Sequence, residues 1–305
     1  MTLSKPLHEI SATEIISRSI SLYSARFTYF FIPFLFAGMV NGILRQIMDY
    51  LIPPFNPPSI DSPMLFQWLM AYIVTLIGIA TMFGIISWII NTIAGGIAIK
   101  YSSDMLESGQ ASLEKGLDFT LSKFFSLLAA GLITGLLTIL GLILFVMPGV
   151  IIAIMFSLTV PVIVIEHQGV LESMGRSRRL VSKRWGETFI VLLIIFLLTL
   201  ILNLMGEALG TSFGLLKTMF AIIIPALVQP LHPIAITFLY YSMRARERLI
   251  VPSMPLQQPA EPTITISPVA PSMQPRFCTR CGQELPPEAI FCPNCGIKIR
   301  RDYTF

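Results

Sequence analysis

Charge is what this sequence lacks. Only 12% of its 305 residues are Asp, Glu, Lys or Arg, about half the 25% typical of a soluble domain. Apolar residues make up 54% and the mean hydropathy is +0.75. That balance excludes an ordinary water-soluble enzyme and a disordered chain. Cysteine is missing from the first 277 positions, which excludes a disulfide framework running through the chain. No cleavable signal peptide is expected, because the first 26 residues lack a short apolar core and a small-residue cleavage site. No repeat of about 20–50 residues stands out. A net charge of +4 is too small to imply nucleic-acid binding by itself.

What is present is apolar and long. Phe124 to Val146 carries no charged residue, whereas Arg176 to Arg184 carries five positive ones. A bilayer core takes about 20 helical residues to cross. Six spans fit by length and polarity, at about 27–44, 66–99, 124–146, 150–165, 188–205 and 218–241. The second is long enough to tilt or project, with no proline or polar turn dividing it. The Pro-rich stretch Leu51 to Pro63 must be a loop, and Pro148-Gly149 marks a tight return. Before the spans, residues 10–26 read as an amphipathic helix. Ser11 and Glu14 fit a capping box, and Ile10 and Ile15 a hydrophobic staple. Ile16, Ile20, Tyr23 and Phe27 make one face, which with Arg18 and Arg26 suits the membrane surface.

Orientation follows from the basic residues. With the N-terminus in the cytoplasm, 14 Lys and Arg outside the tail fall on the cytoplasmic side and only Arg45 and Lys217 opposite. This obeys the positive-inside rule and supports an even number of spans. The expected location is the cell membrane, multi-pass, with both chain ends cytoplasmic.

Residues 249–276 change character. Val251 to Arg276 holds seven prolines and reads as an extended linker with a reach of up to about 80 Å. It leads to a module at 277–305 with two Cys-x-x-Cys pairs, Cys278-Thr279-Arg280-Cys281-Gly282 and Cys292-Pro293-Asn294-Cys295-Gly296. Four thiolates so spaced can close a tetrahedral Zn²⁺ site with no open position, hence one structural ion held by Cys278, Cys281, Cys292 and Cys295. A redox dithiol would sit on an α/β scaffold that is lacking here. So short a module has almost no core, so the metal must supply much of its folding energy. Residues 277–299 resemble the short zinc ribbons of the Cys-Pro-x-Cys-Gly type, with Thr279 in place of a frequent proline. The resemblance implies zinc binding and names no partner. Arg276, Arg280, Lys298, Arg300 and Arg301 make the tail basic. That suits an acidic protein, anionic lipid or RNA, and equally keeps a tiny domain soluble; nucleic acid is not the favoured partner.

Within the spans, chemistry is sparse. There is no facing pair of acids and no Arg ladder. Glu166 and Glu207 read as interface residues. Asn41, Asn91, Asn203, Gln229 and His232 read as groups hydrogen-bonding between helices. Pro225, Pro230 and Pro233 interrupt span six around Gln229 and His232; broken helices build transporter sites or simply kink for packing. Between spans four and five, Val170, Met174, Ser177 and Val181 make an apolar stripe. Arg176, Arg179 and Lys183 make a basic one, with Glu172 placed to pair with Arg176. This helix suits an anionic inner leaflet.

The run Pro161-Val162-Ile163-Val164-Ile165-Glu166, then Gly169-Val170-Leu171-Glu172-Ser173 and Arg176-Ser177, together with Tyr240-Tyr241-Ser242-Met243-Arg244-Ala245-Arg246-Glu247, resembles the membrane domain of glycerophosphodiester phosphodiesterases and related prokaryotic families. Ser242 stands where Asp is usual, and Arg178 where an aromatic often follows. The catalytic barrel would need 200 or more further residues (roughly), so the resemblance implies topology and no catalysis. The sequence thus predicts an all-α polytopic membrane protein of about six transmembrane helices, with an N-terminal amphipathic helix (1–26), a membrane domain (27–248) and a small C-terminal zinc ribbon. Two functions follow: a non-catalytic scaffold or accessory protein recruiting a cytoplasmic protein through the ribbon, or a transporter or channel for a small or amphiphilic solute.

Overall fold

In a computed structural model, the structure describes residues 5–59, 62–212, 217–250, 276–278, 280–285 and 291–298. The chain divides into two compact units, Met1–Pro252 and Ser253–Phe305. The Pro-rich linker lies almost entirely outside the described residues.

The first unit is entirely helical among its described residues: α1 (Ala12–Ala25), α2 (Phe27–Leu51), α3 (Leu65–Ser108), α4 (Leu113–Ser122), α5 (Phe124–Leu144), α6 (Val146–Met155), α7 (Thr159–Glu166), α8 (Val170–Ser182), α9 (Trp185–Ser212), α10 (Lys217–Val228) and α11 (Leu231–Ile250). Among the described residues six stretches are long and apolar enough to cross a membrane, where the sequence placed six spans. They carry a broad exposed surface of Leu, Ile, Phe and Met side chains, for example Phe36, Ile77, Leu140 and Phe196, as a lipid-facing bundle requires.

α3 is one unbroken helix of 44 residues, about 65 Å at 1.5 Å per residue. Its first part is exposed, but from Ala94 to Leu106 it is largely buried. The excess length is a packing element against α4 and α11. It ends on Gly109 in the left-handed region (φ 71°), a conformation glycine adopts without strain.

Proline and glycine set the remaining breaks. The return between α5 and α6 falls at Phe145, whose backbone is extended (φ −159°, ψ 146°), and not at Pro148-Gly149 as expected. Pro148 lies in the first turn of α6, where its missing N–H costs nothing. Gly149 serves close approach: a Cβ there would sit 2.4 Å from Leu142 Cγ. Span four is split into α6 and α7 because Pro161 leaves the Ser157 carbonyl without its helical donor. Ser177 of α8 bridges this gap, its hydroxyl donating to Met155 O at 2.8 Å and accepting from Leu158 N–H at 3.2 Å. Span six is split likewise: α10 ends at Val228 and α11 starts at Leu231, on either side of Gln229-Pro230.

α1 packs on α11 and α9. Its inward side is Ile15, Ser19 and Leu22; of the expected face, Ile16 and Tyr23 flank this core, whereas Ile20 and Phe27 are exposed. The stripe shifts because the N-terminal segment is itself tied down. Ile10 N–H donates to Ser242 Oγ at 3.1 Å, Ala12 N–H to Glu187 at 3.0 Å, and Glu9 pairs with Arg246 at 2.9 Å. Only half of the capping box forms: Glu14 N–H donates to Ser11 Oγ at 3.3 Å, while the Glu14 carboxylate turns to Arg18 at 2.6 Å.

Candidate metal centre and the polar sites of the membrane unit

The second unit has little apolar material. Its buried cluster is Cys278, Leu285 and Cys292, flanked by Cys295 and Ile297. Two hairpins of the same register build it. Phe277 pairs with Glu284 in the two-stranded sheet β1 (Arg276–Phe277) and β2 (Glu284–Leu285), and Phe291 bridges Lys298. In each, the first cysteine's N–H donates to the carbonyl five residues on, Cys278 to Gln283 at 2.8 Å and Cys292 to Ile297 at 2.9 Å. In each, the glycine after the second cysteine donates back to the first, at 2.9 Å, with φ 71°. That angle requires glycine in practice.

The hairpins bring the four sulfurs together. All four Sγ lie within 4.8 Å of one another, with Cys278 to Cys295 and Cys281 to Cys292 each at 3.6 Å. A tetrahedral ion at 2.3 Å from each sulfur needs edges of about 3.8 Å. The donor set therefore fits one Zn²⁺. Backbone N–H groups of Arg280 and Cys281 hold the Cys278 thiol down, to about 6; those of Cys295 and Asn294 lower Cys292. Cys295 moves the other way. The Ile297 N–H favours its thiolate, but burial and the neighbouring sulfurs push it up to about 11. Four thiolates at this spacing need a cation among them, and zinc bound here would be a structural cross-link.

Residues 277–299 match the zinc-ribbon domain family. The sequence-predicted ligands are the four cysteines inside that match. No curated protein and no solved structure matches the chain. The ribbon match leaves the resemblance of the membrane part to the phosphodiesterase membrane domain without support of its own.

In the membrane unit the two motif segments that carried that resemblance meet. Arg176 of α8 lies between Glu166, at the end of α7, and Glu247 of α11. Its Nε is 3.2 Å from Glu166 Oε1, and its Nη2 is 2.6 Å from Glu247 Oε2. The Tyr240 hydroxyl donates to Glu166 at 2.7 Å. Beside it, Tyr241 donates to Glu107 at 2.8 Å and shares a hydrogen bond with Ser103 at 2.7 Å. Arg184 donates to Ser242 Oγ and Ile10 O, each at 3.2 Å. Glu166 is thus tied to Arg176 and Tyr240, and Arg176 does not pair with Glu172. The Glu172 carboxylate instead accepts from Gly169 N–H at 3.4 Å, capping α8. The apolar stripe of α8 is buried at Met174, Ser177 and Val181, joined by Ser173 and Leu180. It faces protein, because α5, α6, α7 and α11 pack around it. Arg178, Arg179 and Lys183 are left exposed.

The intramembrane amides divide. Asn91 and Asn203 donate within their own helices, to Ser87 O at 2.8 Å and Thr199 O at 2.7 Å, and not between helices as expected. Asn41 Oδ1 and Gln229 Oε1 are buried and have no partner among the described residues. The side chain of Glu207 lies outside the described residues. Gln229 and His232 both line a cavity of about 650 Å³.

Proposed function

We propose that this chain is a non-catalytic membrane scaffold or accessory protein that presents its zinc ribbon to a cytoplasmic protein partner. The carrying observation is the closed four-sulfur centre on a unit separate from the helices. All donor positions of a tetrahedral ion are filled, leaving none for substrate. Each hairpin also presents an exposed aromatic just before its first cysteine, Phe277 and Phe291, with Arg280 and Lys298 exposed nearby in sequence. Exposed aromatics among cations suit an apolar-and-acidic protein surface. The orientation with both ends cytoplasmic rests on the basic residues of the sequence. The exposed Arg178, Arg179 and Lys183 suit an anionic inner leaflet, and exposed Ile20 and Phe27 suit an interfacial α1. The likeness of the membrane part to the phosphodiesterase membrane domain rests on its two sequence segments alone, and carries topology without catalysis.

The test compares proteins copurifying with the full-length chain and with Phe277→Ala/Phe291→Ala, at equal bound zinc. An unchanged partner set sinks recruitment. Labelling a tail cysteine in sealed vesicles from one side and then the other checks the orientation. A second reading, movement of an amphiphilic solute, is favoured by the cavity at the break in span six; saturable flux in proteoliposomes tests it.

A further inference from the structure

The cavity combines three observations. It is large, at about 650 Å³, within the range of about 300–1,000 Å³ that holds organic ligands. It is apolar, lined by residues such as Phe34, Trp88, Leu127 and Ile195, and no Asp, Glu, Lys or Arg lines it. It nonetheless collects polar groups. Gln229 Oε1 is buried without a partner among the described residues, and His232, an exposed residue, adds an imidazole to the lining. A buried, unpaired amide oxygen costs stability unless something donates to it.

The polar groups also share a depth. Thr199 lies 14 residues after Trp185, and His232 lies 14 residues before Arg246. Both are about 21 Å along their helices from the charged end, within stretches long and apolar enough to cross a membrane. An unpaired amide and an imidazole at that depth mark a site more than a packing fault. The break at Gln229-Pro230 separates the two groups that it leaves on the lining. Pro230 and Pro233 lack the N–H groups that a continuous helix would direct at Ala226 and Gln229.

We infer that this cavity binds an uncharged, hydroxyl-bearing amphiphile of lipid type, such as a monoacylglycerol. Its chain lies against Phe34, Trp88 and Ile195, and its hydroxyls bond His232 and, on rotation of its buried amide, Gln229. The absence of charged groups from the lining selects against a carboxylate or phosphate head, and the acceptor at Gln229 asks for a donor. The cavity is shared with the transport reading, but the site does not depend on it: saturable binding without flux leaves the site standing and sinks transport.

Trp88 is a built-in reporter. The full chain with Trp68→Phe and Trp185→Phe keeps Trp88 as its one indole. In nanodiscs it is titrated with a monoacylglycerol brominated along its chain. The expected result is saturable quenching, reversed by the unbrominated compound. Gly95→Leu should abolish it, since Gly95 lines the cavity and a Cβ there meets nothing within 4 Å, leaving the larger side chain to occupy the space. Gln229→Leu, of similar size, should weaken binding about tenfold through the lost hydrogen bond. Quenching that rises in proportion to bromolipid and is unchanged in Gly95→Leu and Gln229→Leu is bulk partitioning and overturns the site. Equal saturable quenching by a brominated fatty acid, ionised at the working pH, overturns the neutral head-group assignment.

Discussion

The two units of this chain are stabilised in opposite ways. The membrane unit spreads its stabilisation over some thirty buried apolar side chains and a ring of charges at one end. The ribbon concentrates it in four sulfur atoms around Leu285 and Ile297. A distributed core tolerates the loss of any one contact, whereas a metal-centred one has a single point of failure. Charge follows the same division. In the membrane unit Arg176 pairs with two partly buried carboxylates. In the ribbon the sulfurs are the charge, and a dication is what offsets part of it.

The contrast is broken most directly at the metal. Chelation or Cys292→Ser should take bound zinc from one per chain to none and unfold the ribbon, a loss of about 10 kcal/mol of binding-coupled folding. Helical circular dichroism of the membrane unit should be unchanged; zinc analysis and proteolysis of the tail check both. Next comes Arg176→Met. It strands Glu166 and Glu247 and should destabilise the membrane unit by about 3 kcal/mol, read as a lower unfolding temperature in detergent with zinc content unaffected. Gly149→Ala drives a methyl against Leu142 and should cost about 2 kcal/mol by the same assay. Smallest is Ser242→Ala. It removes the acceptor of Ile10 N–H and Arg184 and should cost about 1 kcal/mol. Ser242→Asp keeps an acceptor for both and should cost less than the alanine. Loss of zinc in any of the last three would show the units to be coupled.

The sequence carried the spans and the four-cysteine cluster well, for a shared reason: both are local. Twenty apolar residues and a Cys-x-x-Cys turn are complete within a short window. What escaped is long-range. Arg176 meets Glu247 across 71 positions and Tyr240 meets Glu166 across 74, and helical periodicity says nothing about such pairs. Glu172, four residues from Arg176, looked the better partner only because spacing was the available guide. The shifted inward side of α1 has the same origin: anchors on Ser242, Glu187 and Arg246 fix its rotation. The cavity was half legible. The prolines around Gln229 marked a break, but neither periodicity nor composition told that α3 and α9 leave space beside it.

The turn between α5 and α6 has a consequence for how the chain enters a bilayer. Phe145, Val146 and Met147 form its tip and are 75%, 67% and 68% exposed, with no ionisable side chain from Phe124 to Ile165. Phe145 N–H is already bonded to Gly141 O at 3.0 Å. A hairpin with such a tip can be threaded through hydrocarbon in one piece, because no charged or strongly hydrated group has to be dragged across. Insertion of these two spans should therefore be a single concerted event, driven by the apolar tip itself.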